Sequence, residues 1–288
     1  MKTKLLGFYK LTRVNDFFAQ SFATVSLMAT FIEGTINPFV FTHLFLTNLF
    51  ITAFSFAIND LEDAPDDALD PKKRLRNPIS AKLITRSQGL VFTTLLAIIS
   101  ILLVWPFGQL ATIIALTCLL LGFLYSYKPV RLKSMPIIDL VSHGLFLGTA
   151  HILITAIGFG LELSPKIYLV ALIAFSFSVL SDFYSEIRDY KIDRLSNINN
   201  TASIVNVDLI KNKTHYFHVI PAILITLLLL SNFSGQFQII LLGLALIFAF
   251  FYLISSEQFR HKIAHQYFKV VLVATGTILI AVHSFQYF

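Results

Sequence analysis

The stretch PFVFTHLFLTNLFITAFSFAINDLEDAPDD, residues 38–67, joins a long apolar run to a cluster of acids. Residues 38–58 contain no Asp, Glu, Lys or Arg, and a membrane-spanning helix needs about 20 mostly apolar residues. From Asp60 to Asp70, six of eleven residues are acidic. The stretch therefore predicts a spanning helix that carries carboxylates to one face of a membrane.

The composition of the whole chain excludes a soluble globular protein. Of 288 residues, 56% are hydrophobic and only 13% are charged, about half of the usual charged share of about 25%. The single cysteine, Cys118, excludes a disulfide-rich fold. The net charge of +6 does not indicate nucleic-acid binding, because the basic residues lie in short gaps between apolar runs. A polytopic membrane protein remains.

Nine apolar runs are long enough to cross a bilayer as helices, and none shows the ten-residue alternation of a membrane β-barrel. They lie at about residues 15–36, 38–60, 88–105, 109–127, 136–159, 165–187, 214–231, 235–255 and 267–287. The sequence predicts an all-α membrane protein with nine transmembrane helices in a single bundle. No linker divides the chain, so residues 1–288 are expected to form one domain.

The basic residues orient these spans. Of the 22 Lys and Arg residues, 21 fall in the N-terminal segment and the even-numbered gaps, and only Lys166 falls on the other side. Cytoplasmic loops carry such an excess of Lys and Arg. The pattern places the N-terminus in the cytoplasm and the C-terminus outside. Both acidic clusters would then face the cytoplasm, where an active-site vestibule would open.

Ten of the sixteen acids lie in two short segments, one after span two and one at the end of span six. Carboxylates at a membrane face are costly to desolvate and repel one another, so two such clusters call for counter-ions. The two clusters lie four spans apart, which hints at an internal duplication.

The spacing within each cluster indicates a metal. Four-residue steps place Asn59, Asp63 and Asp67 on one face of a helix, and steps of three and four do so for Glu186, Asp189 and Asp193. Hard oxygen ligands of this kind suit Mg²⁺, and a lone cysteine disfavours zinc. Pro65 leaves open whether Asp67 lies on the helix or in a loop.

Basic residues next to the acids indicate an anionic partner such as a phosphate. Arg and Lys bind phosphate oxygens well, although the same residues also account for the positive-inside pattern. The candidates are Arg76, Lys128, Arg131, Lys133 and Arg188.

Three stretches resemble the UbiA superfamily of intramembrane prenyltransferases. Residues 59–67 match its first motif, NDxxDxxxD, and residues 186–193 match its second, (D/E)xxDxxxD. Residues 125–133, YSYKPVRLK, resemble its loop after the fourth helix. The resemblance spans the chain, because both motifs follow the expected helices. Asn77 interrupts a common Arg-Pro pair, and Lys82 and Asn206 replace usual glycines.

The resemblance implies a mechanism and its residues. Two Mg²⁺ ions, held by the six motif residues named above, would bridge to a prenyl diphosphate, whose departure leaves an allylic carbocation. A carbon atom of a lipophilic acceptor then attacks. The implied catalytic residues are Asp63, Asp67, Asp189 and Asp193. The resemblance also implies an active-site Asn at Asn15, and Tyr125 is a candidate to close over the diphosphate.

Residues 131–145, RLKSMPIIDLVSHGL, resemble the branch of the family that elongates carotenoid ends such as lycopene. An apolar isoprenoid acceptor is therefore expected, with an aromatic quinone precursor as the alternative. Asp139 is expected to cap a helix, and His143 one turn later would orient the acceptor or act as a base.

A transporter or a lipid-binding protein is a competing interpretation of the same composition. Transporters place ionisable groups near the bilayer midplane. The middle parts of the nine predicted spans are nearly free of charge, so an enzyme is favoured over a transporter. The sequence gives no indication of the oligomeric state.

The positive-inside pattern generates a test of topology. Reporter tags inserted near residues 70, 130 and 200 should be cytoplasmic, and a tag near residue 162 should lie outside, because Lys and Arg are retained in the cytoplasm. Accessibility to membrane-impermeant reagents measures this. A tag at residue 70 that is labelled from outside would invalidate the assigned orientation.

Overall fold

The structure is a computed structural model that describes residues 2–211, 213–232 and 268–286. Within these ranges the regular structure is helical. The α-helices are α1 Lys2–Thr12, α2 Val14–Ala29, α3 Pro38–Asp67, α4 Pro71–Arg76, α5 Arg86–Val104, α6 Gln109–Ser126, α7 Ile138–His143, α8 Ala150–Gly158, α9 Pro165–Leu195, α10 Val207–Ile210, α11 Val219–Asn232 and α12 Phe268–Gln286.

Among the described residues, five helical segments are long and apolar enough to cross a membrane: Pro38–Asp67, Arg86–Phe107, Gln109–Ser126, Ile138–Gly158 and Pro165–Leu195. They coincide with predicted spans two to six. The predicted spans one, seven and nine correspond to α2, α11 and α12, and the predicted span 235–255 lies outside the described residues. The protein is therefore an all-helical, multi-pass membrane protein.

The first predicted span is interrupted at both ends. Arg13 has a left-handed backbone with φ of 51° and separates α1 from α2. At the other end α2 finishes at Ala29, because the amides of Thr30, Phe31 and Ile32 close tight turns. The predicted span of residues 15–36 is thus a helix of only 16 residues.

Helix α3 continues through Pro65 to Asp67, so the open question about Asp67 is settled in favour of the helix. A proline in a helix cannot donate to the carbonyl four residues earlier, here that of Leu61. The guanidinium of Arg86 donates to this carbonyl at 2.6 Å, and Ser80 Oγ donates to the carbonyl of Ala64 at 2.5 Å. Arg86 therefore satisfies the acceptor that Pro65 leaves free, and Ser80 is a second donor to the Ala64 carbonyl, which also accepts from the amide of Ala68.

The short helix α4 follows the first acidic cluster. The Asp70 carboxylate caps it by accepting from the amides of Lys72 and Lys73 at 2.7 and 2.8 Å. These bonds, that from Lys73 first, lower the pKa of this exposed carboxyl below its ordinary value. Farther on, Lys82 adopts a left-handed φ of 59°, a conformation for which glycine is better suited.

The fifth predicted span is not a uniform α-helix. Between α7 and α8, residues Gly144–Thr149 form a π-helix, a distortion that is common at functional sites. A Cβ atom on Gly148 would lie 2.7 Å from the carbonyl oxygen of Ala174, so glycine permits close packing against α9. The rings of His143, the last residue of α7, and Phe146, within the π-helix, have centroids 5.5 Å apart.

The long helices of the described ranges pack against one another in a bundle. Helix α3 packs against α2, α5 and α6, while α9 packs against the π-helix and α11, and α12 packs against α2. Buried apolar side chains between these helices include Leu61, Phe146 and Ile154. This packing holds the C-terminal ends of α3 and α9 opposite one another.

Candidate active site

The C-terminal ends of α3 and α9 border one cavity of about 220 Å³. Each helix extends past its apolar part by two to three turns and carries one acidic cluster. All six residues predicted to bind metal line this cavity: Asn59, Asp63, Asp67, Glu186, Asp189 and Asp193. Residues far apart in sequence are thereby brought together around a space of molecular size.

Asp63 is held by cations from the loop after α6. Lys133 Nζ lies 2.6 and 2.5 Å from its two oxygens and 3.1 Å from Asn59 Oδ1, and Lys133 is only 9% exposed. Arg131, whose backbone φ is 48°, donates to Asp63 at 3.3 Å. The predicted phosphate ligands Lys133 and Arg131 therefore contact the first motif directly.

Cations of this region also pair with Asp66 and Glu62, two acids of the first cluster that are not predicted metal ligands. Arg131 also donates to Asp66 at 2.6 Å, and Lys128 does so at 3.3 Å. Glu62 pairs with Arg86 at 2.6 Å. The predicted phosphate ligands Lys128 and Arg131 do not line the cavity. Both contact acids of the first cluster from behind the first motif.

Asn77 connects the loop after α4 to the end of α3. Its amide nitrogen donates to the Asp60 carbonyl at 2.7 Å and to Asp67 Oδ2 at 2.9 Å, and its oxygen accepts from the Ile79 amide at 3.0 Å. Asn77 is fully buried. The residue that interrupts the usual Arg-Pro pair therefore orients a predicted metal ligand.

The second acidic cluster is linked to the first region by Lys73. Its ammonium group lies 3.1 Å from Asp189 Oδ2, and Arg188 pairs with the same carboxylate at 2.9 Å. Lys73, Arg76 and Arg188 all line the cavity. Two predicted phosphate ligands, Arg76 and Arg188, are therefore at the site, and Lys73 joins them.

The segment after α9 is fixed by carboxylates. Asp139 is fully buried and accepts from both the amide and the hydroxyl of Thr201 at 2.5 Å. Glu186 Oε2 accepts from the Ala202 amide at 3.0 Å. The predicted capping role of Asp139 is wrong, because Ile137 is the N-cap of α7 and no side chain caps this helix. Asp139 lies in its first turn, accepts the amide of Leu140 and anchors the 201–204 turn.

Asp182 lies one turn before Glu186 on α9 and contacts two residues from other segments. The hydroxyl of Tyr125 donates to both of its oxygens at 3.0 and 2.9 Å, and His143 Nε2 lies 3.8 Å from Oδ1. All three line the cavity, together with the apolar side chains of Phe56 and Phe146. Tyr125 is thus at the site, as predicted, but it holds a carboxylate.

Asn15, which is predicted to be an active-site residue, is not among the residues that line the cavity. Its side chain accepts from the Tyr9 hydroxyl at 2.8 Å, and its carbonyl accepts from Lys269. Two residues earlier, Arg13 does line the cavity, with its guanidinium 4.5 Å from the centre of the Phe56 ring. The helix break at Arg13 directs this side chain inward.

Comparison with known proteins assigns the family. The model of the UbiA prenyltransferase family matches residues 21–273. The chain belongs to the UbiA prenyltransferase family. Membership of this family identifies the protein as a membrane-embedded prenyltransferase. The search of curated proteins found no match.

Solved structures of UbiA homologues share the fold. One from Archaeoglobus fulgidus bound to GPP and Mg²⁺ has a TM-score of 0.70 at 18% identity, covering 96% of this chain and 99% of the other. The same homologue bound to DMAPP and Mg²⁺ gives 0.69 at 19% identity, with the same coverage. A digeranylgeranylglyceryl phosphate synthase gives 0.62 at 17% identity, covering 99% and 94%.

This UbiA-family site contains residues that the motifs do not reveal. Arg13, Lys73 and Asn200 line the cavity, and Asn200 donates to Asp193 Oδ2 at 3.0 Å. Lys73 belongs to the run of basic residues 72–76 after the first acidic cluster, which the sequence already indicates as a candidate phosphate site. No comparable signal marks Arg13 or Asn200, because a left-handed residue and a long-range hydrogen bond leave no pattern in the sequence.

The carboxylates of this UbiA-family protein fit a hard divalent cation. In the described residues no three His, Cys, Asp or Glu side chains are close enough to enclose an ion, and Asp63 and Asp189 are paired with Lys133 and Lys73. However, the ligand set consists of carboxylate and amide oxygens around one cavity. Glu186 Oε1 is buried and has no hydrogen-bond partner within the described ranges, as expected for an atom that serves a further ligand.

Asn77 gives a test of this arrangement. Asn77→Ala should raise the Mg²⁺ concentration needed for half-maximal binding of labelled GPP by about tenfold or more, because residues that orient metal ligands contribute about 10–100-fold to affinity. Equilibrium binding to the purified protein measures this. The control is Asn37→Ala, which removes the N-cap of α3 at its other end and costs about 1 kcal/mol of stability. Equal Mg²⁺ requirements in the two variants would contradict the assigned role.

Proposed function

We propose that this protein is a Mg²⁺-dependent prenyltransferase that moves an isoprenyl group from a prenyl diphosphate to a lipophilic acceptor in the membrane. One observation carries the proposal: the acidic ends of α3 and α9 face each other across a cavity whose carboxylates are already paired with Lys and Arg. A site with both signs of charge suits a metal–diphosphate complex. UbiA homologues of the same fold are described as bound to DMAPP or GPP with Mg²⁺.

The metal would be held by Asp63, Asp67, Asp189 and Asp193, with Asn59 and Glu186 as further ligands. Six oxygen-bearing residues on two helices are enough for two ions that share the diphosphate. When bound, Mg²⁺ supplies stabilisation of the negative charge that develops on the departing diphosphate.

The chain's own cations would bind the diphosphate oxygens. Lys133 and Lys73 contact Asp63 and Asp189 through ammonium groups, and both line the space between the two motifs that an anion would enter. Arg76 and Arg188 line the same space. Charged donors that are fixed before the reaction stabilise a leaving group without reorganisation.

The prenyl chain would occupy the deeper part of the cavity. Phe56, Phe146 and Leu147 line it, and burial of apolar surface contributes about 25 cal/mol per Å². Aromatic faces also stabilise an allylic cation electrostatically. Along α3 the apolar residue Phe56 precedes the carboxylates of Asp63 and Asp67. The diphosphate would therefore lie at the end of the helix, with the apolar chain below it.

The topology that accompanies this function is nine transmembrane helices in one domain. The N-terminus and both acidic motifs would be cytoplasmic, with the C-terminus outside, in agreement with the distribution of basic residues. A vestibule that opens to the cytoplasm gives the soluble diphosphate group and Mg²⁺ access to the site.

The acceptor that suits the site best is an apolar isoprenoid such as a carotenoid end. At the depth of Asp182 the cavity is lined by aromatic, aliphatic and acidic side chains. Among the described cations that line the cavity, Arg13 is paired with Asp60 at 3.5 Å and Lys133 with Asp63 at 2.5 Å. An acceptor that carries a carboxylate would therefore meet Asp182 without an available cation, which disfavours an aromatic acid.

Substitution of the motif acids tests the enzyme and its metal. Asp63→Asn and Asp189→Asn should each lower pyrophosphate release from GPP by about 10² or more, because each removes an anionic oxygen that supports the leaving group. Turnover should also stop when EDTA removes Mg²⁺. Activity is measured as pyrophosphate release in membranes supplied with acceptor.

Matched controls are available close to each motif. Asp70→Asn and Asp208→Asn make the same chemical change at positions that are not buried and do not line the cavity. Asn is also a good N-cap for α4, so both controls should retain activity within about twofold. Substantial turnover by the Asp63→Asn and Asp189→Asn double variant would disprove the mechanism.

The acceptor requires a separate experiment. Membranes containing the protein, supplied with dimethylallyl or geranylgeranyl diphosphate, should prenylate lycopene and should not prenylate 4-hydroxybenzoate, because among the described residues no cation without an acidic partner lies at the depth of Asp182. Chromatography of the labelled products measures this. Prenylation of the benzoate alone would establish the aromatic alternative while leaving the prenyltransferase assignment intact.

A further inference from the structure

The cavity has a deep end that the two acidic motifs do not occupy. Asp182 precedes Asp189 by seven residues on α9, and Phe56 precedes Asp63 by seven on α3. At 1.5 Å per residue, both lie about 10 Å along their helices from Asp189 and Asp63, and about 4.5–6 Å from Glu186 and Asn59. A diphosphate at the motifs would therefore direct its first prenyl carbon toward the level of Asp182.

The chemistry at this level requires a proton acceptor. When the C–O bond of the prenyl diphosphate breaks, both electrons leave with the diphosphate. A carbon of the acceptor then uses its π electrons to form the new C–C bond, which leaves a cation on the acceptor. Loss of a proton from the acceptor returns the C–H electron pair to a double bond. A base must receive this proton, whether the acceptor is an alkene or an arene.

Hydrogen bonds fix the tautomer of His143, which lines the deep end. Ser178 Oγ lies 3.0 Å from the His143 carbonyl oxygen and 2.9 Å from His143 Nδ1. A carbonyl can only accept, so the arrangement that satisfies both contacts has the hydroxyl donating to the carbonyl and Nδ1–H donating to Oγ. Neutral imidazole carries one proton, so Nδ1 is protonated and Nε2 presents its lone pair.

The environment of Nε2 suits proton transfer. It lies 3.8 Å from Asp182 Oδ1, which is too far for a hydrogen bond but close enough to stabilise an imidazolium ion by charge. Asp182 is only 8% exposed, and the Tyr125 hydroxyl fixes both of its oxygens. A carboxylate that is held in this way keeps its place when the imidazole becomes charged.

Two other candidate bases near this level, Asp139 and His151, are engaged elsewhere. Asp139 is fully buried and accepts from Thr201 and Leu140. His151 bonds through both ring nitrogens, to Asn48 and to Thr52. Neither residue is among those that line the cavity.

We propose that His143 Nε2 is the catalytic base that removes the proton from the prenylated acceptor, with Asp182 as the positioning residue that stabilises the imidazolium. The assignment rests on the proposed prenyl transfer and applies to either acceptor class. Ser178 sets the tautomer, and Tyr125 holds Asp182. The proton leaves the imidazolium for water when the product is released.

The tautomer can be measured without any substrate. In protein labelled with ¹⁵N-histidine, the NMR signals that disappear in His143→Gln belong to His143. They should show the neutral tautomer that is protonated at Nδ1, and Ser178→Ala should convert it to a mixture. A His143 that is protonated at Nε2 in the wild-type protein would overturn the proposal, whatever the fate of the prenyl-transfer assignment.

The second experiment separates proton removal from donor binding. With the acceptor that the wild type uses, lycopene or 4-hydroxybenzoate, His143→Gln should lower transfer by about 100-fold, and Asp182→Asn by about 10-fold or more. Binding of a non-hydrolysable geranyl thiodiphosphate with Mg²⁺ should change less than about twofold, since the motifs are untouched. Prenyl alcohol should increase relative to transfer product, because the cation that forms is captured by water.

His43→Gln serves as the matched control, since His43 bonds to the Leu103 carbonyl away from the cavity. It should retain transfer within about twofold. Near wild-type transfer by His143→Gln would overturn the proposal. So would a parallel loss of thiodiphosphate binding and transfer, because it would show a structural role. If the wild-type protein releases no pyrophosphate from the prenyl diphosphate, the proposed function itself is refuted.

Discussion

The contact between Lys133 and Asp63 determines the shape of one side of the site. Both groups are largely withdrawn from water, and separating a buried pair of charges costs about 3–5 kcal/mol. The loop after α6 therefore cannot leave α3 without exposing an unpaired ammonium group to an apolar environment. From the same loop, Arg131 donates to Asp66, and the main-chain amide of Lys128 donates to Glu62. Charge neutralisation thus builds this wall of the cavity.

The opposite wall is built mainly from hydrogen bonds between carboxylates and backbone amides. Asp139 and Glu186 receive the amides of Thr201 and Ala202, so α7 and α9 together hold the segment that follows the second motif. Ile137 donates its amide to the Thr201 hydroxyl at 2.6 Å despite a strained φ of 72°. A β-branched residue adopts such a conformation only when its surroundings enforce it.

The features that repeat along the chain were predictable from the sequence, and those that depend on distant partners were not. Hydropathy and spacing identified the helices of predicted spans two to six and the faces that carry Asp63 and Asp189. The sequence could not show that Arg13 would replace Asn15 at the cavity, because this depends on a left-handed residue between two helices. Nor could it assign Tyr125 to Asp182, since the two lie 57 positions apart.

The passage of α3 through Pro65 has a consequence for how the protein is made. The carbonyls of Asp60, Leu61 and Ala64 are satisfied by side chains of residues 77–86. As the chain emerges from the ribosome, the last turns of this helix are synthesised well before those donors exist. The first acidic motif can therefore reach its final form only after the beginning of α5 has been made, so two adjacent spans must mature together as a hairpin.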